Sequence, residues 1–175
     1  METNKIVKYI GRITYSHVIA YFIAGIFALF VMDYKELFAT KEMSLLMRPV
    51  SDPIVTLGPF LQLFRGMILA IFLLPIQKVV VEEKYGFAKL GVLILGLSLF
   101  STIGPTPGSF EGYIYTIIPA INQLLGYPEA ILYVLIFISL LWCSYKQERK
   151  WIDILSAIVV LIISTISVIS YCFTV

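Results

Sequence analysis

Five apolar stretches separated by short charged connectors constrain this chain more than any motif in it. They run over approximately 14–32, 54–81, 86–104, 128–145 and 152–173, and each has the residues to cross about 30 Å of hydrocarbon as a helix. Lipid offers the backbone no hydrogen-bond partners, so runs of this length close their bonds internally as helices. The expected fold is all-α: a polytopic transmembrane helical bundle of five spans plus one interfacial or re-entrant helix. It forms a single transmembrane domain over 1–175. Composition agrees, with 59% hydrophobic and only 14% charged residues. The charges gather in the connectors DYKELFATKEMSLLMRPVSD, VEEKYG and YKQERKW.

The segment 109–126 is apolar enough for a sixth span, but Glu111, Pro119, Asn122 and Gln123 interrupt it. Charge parity argues against that span. With five crossings and a cytoplasmic N-terminus, Lys5, Lys8, Arg12, Lys78, Lys84, Lys89, Lys146, Arg149 and Lys150 fall inside. Lys35, Lys41 and Arg48 fall outside, which is the bias of the positive-inside rule. A sixth crossing would move the cluster from Lys146 to Lys150 to the outer side. The segment is therefore read as a helix on the outer face, and the chain as an integral protein of the cell (inner) membrane with its C-terminus outside. The first run resembles a signal peptide only superficially: it is too long and lacks an A-x-A-like cleavage site, so it is read as a retained span.

Local signals mark several element ends. Ser51, Asp52 and Pro53 offer a capping side chain and a proline for the first helical position of span two. That span is overlong, which predicts tilt, a kink at Pro75, or an outer end rising above the membrane. Gly104, Pro105, Pro107, Gly108 and Gly112 halt the third helix, and Ser109 is placed to cap the next one with Glu111 in its first turn.

The most informative single residue is Arg65, twelve residues into the apolar run that begins at Ile54. An arginine at mid-membrane costs roughly 2.5–3.5 kcal/mol on insertion scales, so a carboxylate, a wet cavity or an anionic ligand has to compensate it. Gln62, three residues earlier, shares its helical face, and Gly58 and Gly66 leave room for a close neighbour. Glu111, the one acid of the outer connector between spans three and four, is the natural partner. Arg48 can join from the preceding loop, because two guanidinium forks suit a phosphate or carboxylate. Arg65, Gln62, Glu111 and Arg48 are thus the candidate ligand-binding residues. The competing readings are a structural Arg65–Glu111 pair and simple snorkelling of Arg65 to the headgroups.

Other classes of chemistry find little support. The single histidine, His17, excludes an all-protein multi-histidine metal site, and Cys143 and Cys172 have no metal-type spacing. No cofactor is expected. No basic face suits nucleic acid. His17 and Asp153 sit near the cytoplasmic ends of their spans and can pair; the hydroxyls of Ser156, Ser164, Thr165, Ser167 and Ser170 suit helix packing.

Three functions are compatible with this pattern. The first is binding or transport of an anionic small molecule or lipid headgroup in the outer leaflet. The second is a non-catalytic subunit or sensor, working as a homo-oligomer or with a larger membrane partner, its small residues Ala24, Gly25, Ala28, Gly91 and Gly96 admitting other helices. The third, an intramembrane lipid-modifying enzyme, is least favoured, because neither paired carboxylates nor a nucleophile beside a base can be found.

Overall fold

The computed structural model describes residues 3–100, 106–147 and 150–174. The described residues are helical, without a strand. In chain order the elements are α1 (Thr3–Val31), α2 (Tyr34–Ala39), α3 (Pro53–Thr56), α4 (Gly58–Leu73), α5 (Gln77–Glu82), α6 (Gly86–Phe100), α7 (Phe110–Tyr115), α8 (Ala120–Leu124), α9 (Tyr127–Gln147) and α10 (Lys150–Thr174). A 3-10 turn, Leu74–Ile76, joins α4 to α5. It coincides with Pro75, whose missing N–H and ring disrupt regular α-helical bonding there.

Four stretches are long and apolar enough to cross a membrane: Asn4–Val31, Gly58–Glu82, Ala120–Gln147 and Lys150–Thr174. The expected span over 86–104 is not among them. Its helix, α6, has 15 residues and rises about 22 Å, and 101–104 lie outside the described residues. The segment 109–126 holds two short helices, α7 and α8, with α8 continuing almost directly into α9.

Named contacts fix the helix directions. The Tyr9 hydroxyl donates to the Leu73 carbonyl at 3.1 Å, and Gly58 lies beside the Tyr21 hydroxyl, so α4 runs antiparallel to α1. Arg12 and Tyr15 meet Asp153 at the start of α10, and Tyr15 meets Ser144 near the end of α9. Hence α9 runs antiparallel to α1 and α10 parallel to it. The Phe87 ring lies 5.6 Å from that of Tyr145 and Gly91 faces Val134 and Ile138, so α6 runs antiparallel to α9.

One end of the bundle therefore carries the first turns of α1, the end of α5, the start of α6 and the α9–α10 junction, with Lys5, Lys8, Arg12, Lys78, Lys84, Lys89 and Lys146. We term it the basic end. The far end carries α2, α3, α7 and α8.

The first helix is the axis of the bundle. Its most apolar 18-residue window is 56% buried, against 17–28% for the other three. Ser16, Ala20, Ala24 and Ala28 recur every fourth residue and are all buried, which forms a small-residue stripe that lets neighbours approach the backbone. Gly66 on α4 uses the same device: an added Cβ would stand 3.0 Å from Thr14 Cα. Ala24, Ala28 and Gly91 thus serve packing within the chain. Only Gly25 and Gly96, of the five small residues assigned to partner helices, face open space.

The far end is closed by its own apolar cluster of Leu37, Met43 and Ile118, flanked by Tyr34, Phe38, Met47 and Leu125. Gln123 holds the adjoining turns: its Nε2 lies 3.2 Å from the Gly112 carbonyl and 3.0 Å from that of Ile118. Gly112 is required there, because a Cβ would collide with the Thr106 carbonyl.

Candidate functional site

Three sets of polar groups stand out along the bundle. The first lies at the basic end. Arg12, 3% exposed, grips Asp153 through both Nε and Nη2 at 3.1 Å, and its guanidinium stacks 4.5 Å above the Tyr145 ring. The Tyr15 hydroxyl lies 2.9 Å from Asp153 Oδ1 and 2.5 Å from Ser144 Oγ. A buried arginine is tolerated when its charge is met by a bidentate carboxylate, and here an aromatic face adds to it. Sequence spacing puts Tyr9, Arg12 and Ser16 on one face of α1, but nothing local identifies Asp153 as the partner.

The second set surrounds His17, which is 2% exposed. Its Nδ1 is 2.6 Å from the Tyr133 hydroxyl of α9 and its Nε2 is 3.0 Å from Gln62 Oε1 of α4. Gln62 Oε1 can only accept, so Nε2 carries the proton, and Nδ1 then accepts from Tyr133. Both nitrogens of a neutral ring are thereby satisfied, and three helices are tied at one point. The expected His17–Asp153 pair does not form. Asp153 is taken by Arg12, and His17 by groups on other helices.

Arg65 is exposed on the bundle surface, within electrostatic reach of His17, Tyr21 and Tyr133. Among the described residues no ion pair joins it to Glu111, which corrects the expected pairing. Glu111 stands in the first turn of α7, capped by Ser109, whose Oγ accepts from the Gly112 amide at 3.0 Å. That helix packs on α6 and α8 rather than α4. Gln62 is buried and bonded to His17 of α1, whereas Arg65 is exposed, so the two are not brought to one site.

The third set opens at the far end. A cavity of about 670 Å³ lies between the second half of α1, α2, the loop over 40–52, and the start of α4. Phe22, Ile26, Leu29, Phe38, Leu46 and Val55 contribute to its apolar walls, while Tyr21, Tyr34, Arg48 and Glu129 supply polar groups. The Tyr34 hydroxyl donates to Glu129 Oε2. Burial, then that hydrogen bond and the negative charge of Glu129, push the Tyr34 phenol up, so it stays protonated and remains a donor. Arg48, 66% exposed, donates from Nη1 to Asp52 Oδ2 at 2.9 Å. Asp52 also caps α3 by accepting from the Ile54 amide at 2.9 Å. Its carboxyl is held below the usual range by the Arg48 hydrogen bond first and the Ile54 amide second. The loop contact is therefore complete above the ordinary carboxylate range and released as pH falls through the lowered value.

Of the four expected site residues, Arg48 lines this cavity, Arg65 lies within electrostatic reach of its wall residue Tyr21, Gln62 bonds His17, and Glu111 stands apart on α7. Sequence reasoning missed Tyr34 and Glu129. A signal was present in Glu129, an acid directly after Pro128 at the head of an apolar run. Among the described residues no group of three His, Cys, Asp or Glu side chains is placed to hold a metal ion. Cys143 and Cys172 are both free. No protein-family model, curated protein or solved structure matches this chain.

Proposed function

We propose that this is a membrane protein of five crossings, one of them built on α6, with the basic end cytoplasmic. The support is the chain's path: α6 starts at the basic end and α7 lies beside α8 at the far end. The density of Lys and Arg at one end agrees with the positive-inside rule.

On this reading the far-end cavity opens in the outer leaflet and binds an amphiphile through an anionic group. The observation that carries the proposal is the cavity itself, apolar along its walls and with Arg48 among its lining residues. Binding sites for small molecules are commonly apolar clefts of this volume with few, convergent polar groups. Acyl chains suit Phe22, Ile26, Leu29 and Val55. A phosphate or carboxylate suits the donors of Arg48 that Asp52 leaves open, with Arg65 adding positive potential from the bundle surface further along α4. Gln62 enters only indirectly, by holding His17 beside Tyr21; Glu111 has no role in the cavity. Binding is the function proposed, since nothing in the bundle resembles the paired half-repeats of an alternating-access carrier.

Gly25 provides the test. It lines the cavity, and an added Cβ there meets nothing within 4 Å. Gly25→Phe should fill the cavity without displacing α1. Native mass spectrometry of the purified protein should then show retained phospholipid falling about tenfold, with the thermal midpoint unchanged. Undiminished retention in Gly25→Phe would place any bound lipid elsewhere on the bundle.

A further inference from the structure

Glu129 is unused by a purely anionic ligand. It is half-buried at the head of α9, faces the cavity, and accepts from Tyr34 through Oε2. Among the described residues no partner meets its Oε1 and no cation pairs with it. An ionisable side chain at the edge of the hydrocarbon with its charge unmatched is a functional position by default. The cavity thus presents both signs of charge: Arg48, which is exposed, is ion-paired with Asp52 through Nη1 and has no bond from Nε or Nη2 among the described residues, and Glu129, whose Oε1 has no partner among them. A headgroup carrying only negative charge would gain from Arg48 and be repelled by Glu129. One carrying only positive charge would meet the reverse.

We infer that the cavity selects a zwitterionic headgroup, an aminophospholipid whose phosphate faces Arg48 and whose primary ammonium faces Glu129. This rests on the outer-leaflet amphiphile reading above and adds the headgroup class. A primary ammonium brings three N–H donors, enough to bond the free carboxylate oxygen while Tyr34 continues to donate to the other. Tyr34 thereby acts as a positioning residue. Its hydrogen bond holds the carboxylate toward the cavity, and its own ring is anchored by Phe38, with centroids 4.9 Å apart. Electrostatic complementarity of this kind sets specificity more than affinity.

The test uses delipidated full-length protein and equal concentrations of phosphatidylethanolamine, phosphatidylglycerol and N-acetylated phosphatidylethanolamine, with retained lipid read by native mass spectrometry. The three share chains and phosphate; only the first carries an ammonium. Wild type should retain phosphatidylethanolamine about tenfold over the other two, the scale of one charge-assisted contact. Glu129→Gln should erase that preference while still binding all three, and Arg48→Gln should weaken all three together. Equal retention of the three lipids by wild type overturns the inference without needing any variant. So does a preference that survives Glu129→Gln. If Gly25→Phe abolishes binding while wild type shows no preference, the cavity reading stands and only the headgroup assignment falls. If Gly25→Phe changes nothing, both fall.

Discussion

The two ends of the bundle each bring an arginine and a carboxylate into reach of a tyrosine, and they use them oppositely. At the basic end Arg12 and Asp153 meet through two hydrogen bonds, Tyr15 completes the carboxylate, and Tyr145 covers the guanidinium. At the far end Arg48 is held by one bond to Asp52, while Glu129 is held by a neutral phenol. The first arrangement is closed, and its charges cancel where they are buried. The second leaves donors and an acceptor facing a cavity. A fully engaged pair stabilises a bundle, whereas a carboxylate held only by a phenol, beside an exposed arginine with a single bond to Asp52, is suited to a ligand that supplies further partners.

That contrast can be broken most forcibly at Asp153. Asp153→Asn leaves a buried guanidinium without its counter-charge and should destabilise the protein by about 3–5 kcal/mol, measured as thermal unfolding in detergent. Replacing Arg12 and Asp153 together by Met and Leu should recover most of that loss, because the penalty comes from the orphaned charge rather than the missing attraction. If the double variant is no better than the single one, the pair has a role beyond charge cancellation.

Gly66→Ala probes the close approach on which both ends depend. The new methyl meets the Thr14 backbone at 3.0 Å, and overpacking of this sort should cost about 1–3 kcal/mol. An unaltered melting curve would mean that α1 and α4 separate easily. His17→Phe removes the link midway between the ends. It strands Gln62 and should cost about 1–3 kcal/mol, while leaving lipid retention at the far end within twofold. A collapse of lipid retention in this variant would join the middle and far sets into one functional unit.

Tyr34→Phe should cost less, about 0.5–1.5 kcal/mol, yet reduce the proposed ethanolamine preference by loosening Glu129. Smallest of all in stability is Arg48→Gln. An exposed pair adds little to folding, so its melting point should match wild type even though lipid retention drops. The two ends would be equivalent, and the contrast void, if Arg48→Gln unfolded the protein as Asp153→Asn is expected to do.

Much of the local structure was legible in advance. Asp52 caps and Pro53 opens a helix, but it is the four-residue α3, and the long second span expected there starts at Gly58; Ser109 caps α7, and Pro75 interrupts the second span. Each depends on residues within about one turn of one another, where a side chain and the backbone it bonds are fixed by spacing. The third apolar run is described as a helix over Gly86–Phe100, and the rest of the expected span, 101–104, lies outside the described residues.

The site was less legible. Arg65 drew attention because a charge inside an apolar run is visible in one dimension, yet it lies on the exposed surface. Arg12 lies nearer the end of its helix and reads as an ordinary basic flank, and it is the buried one. Which of two arginines is sheltered depends on what packs over it, here Tyr145 and Asp153 from more than 130 residues away.

Apolar run length was enough, by itself, to specify an all-helical chain with stretches able to cross a membrane, because an apolar run of that length closes its backbone hydrogen bonds internally as a helix. The pairing of the charges was decided only when the helices met. Arg12 finds Asp153, His17 finds Gln62 and Tyr133, and Glu129 finds Tyr34 across separations that no spacing rule reaches. Side chains on different helices become neighbours through the directions and close approaches of α1, α4, α9 and α10, and those are properties of the packed bundle.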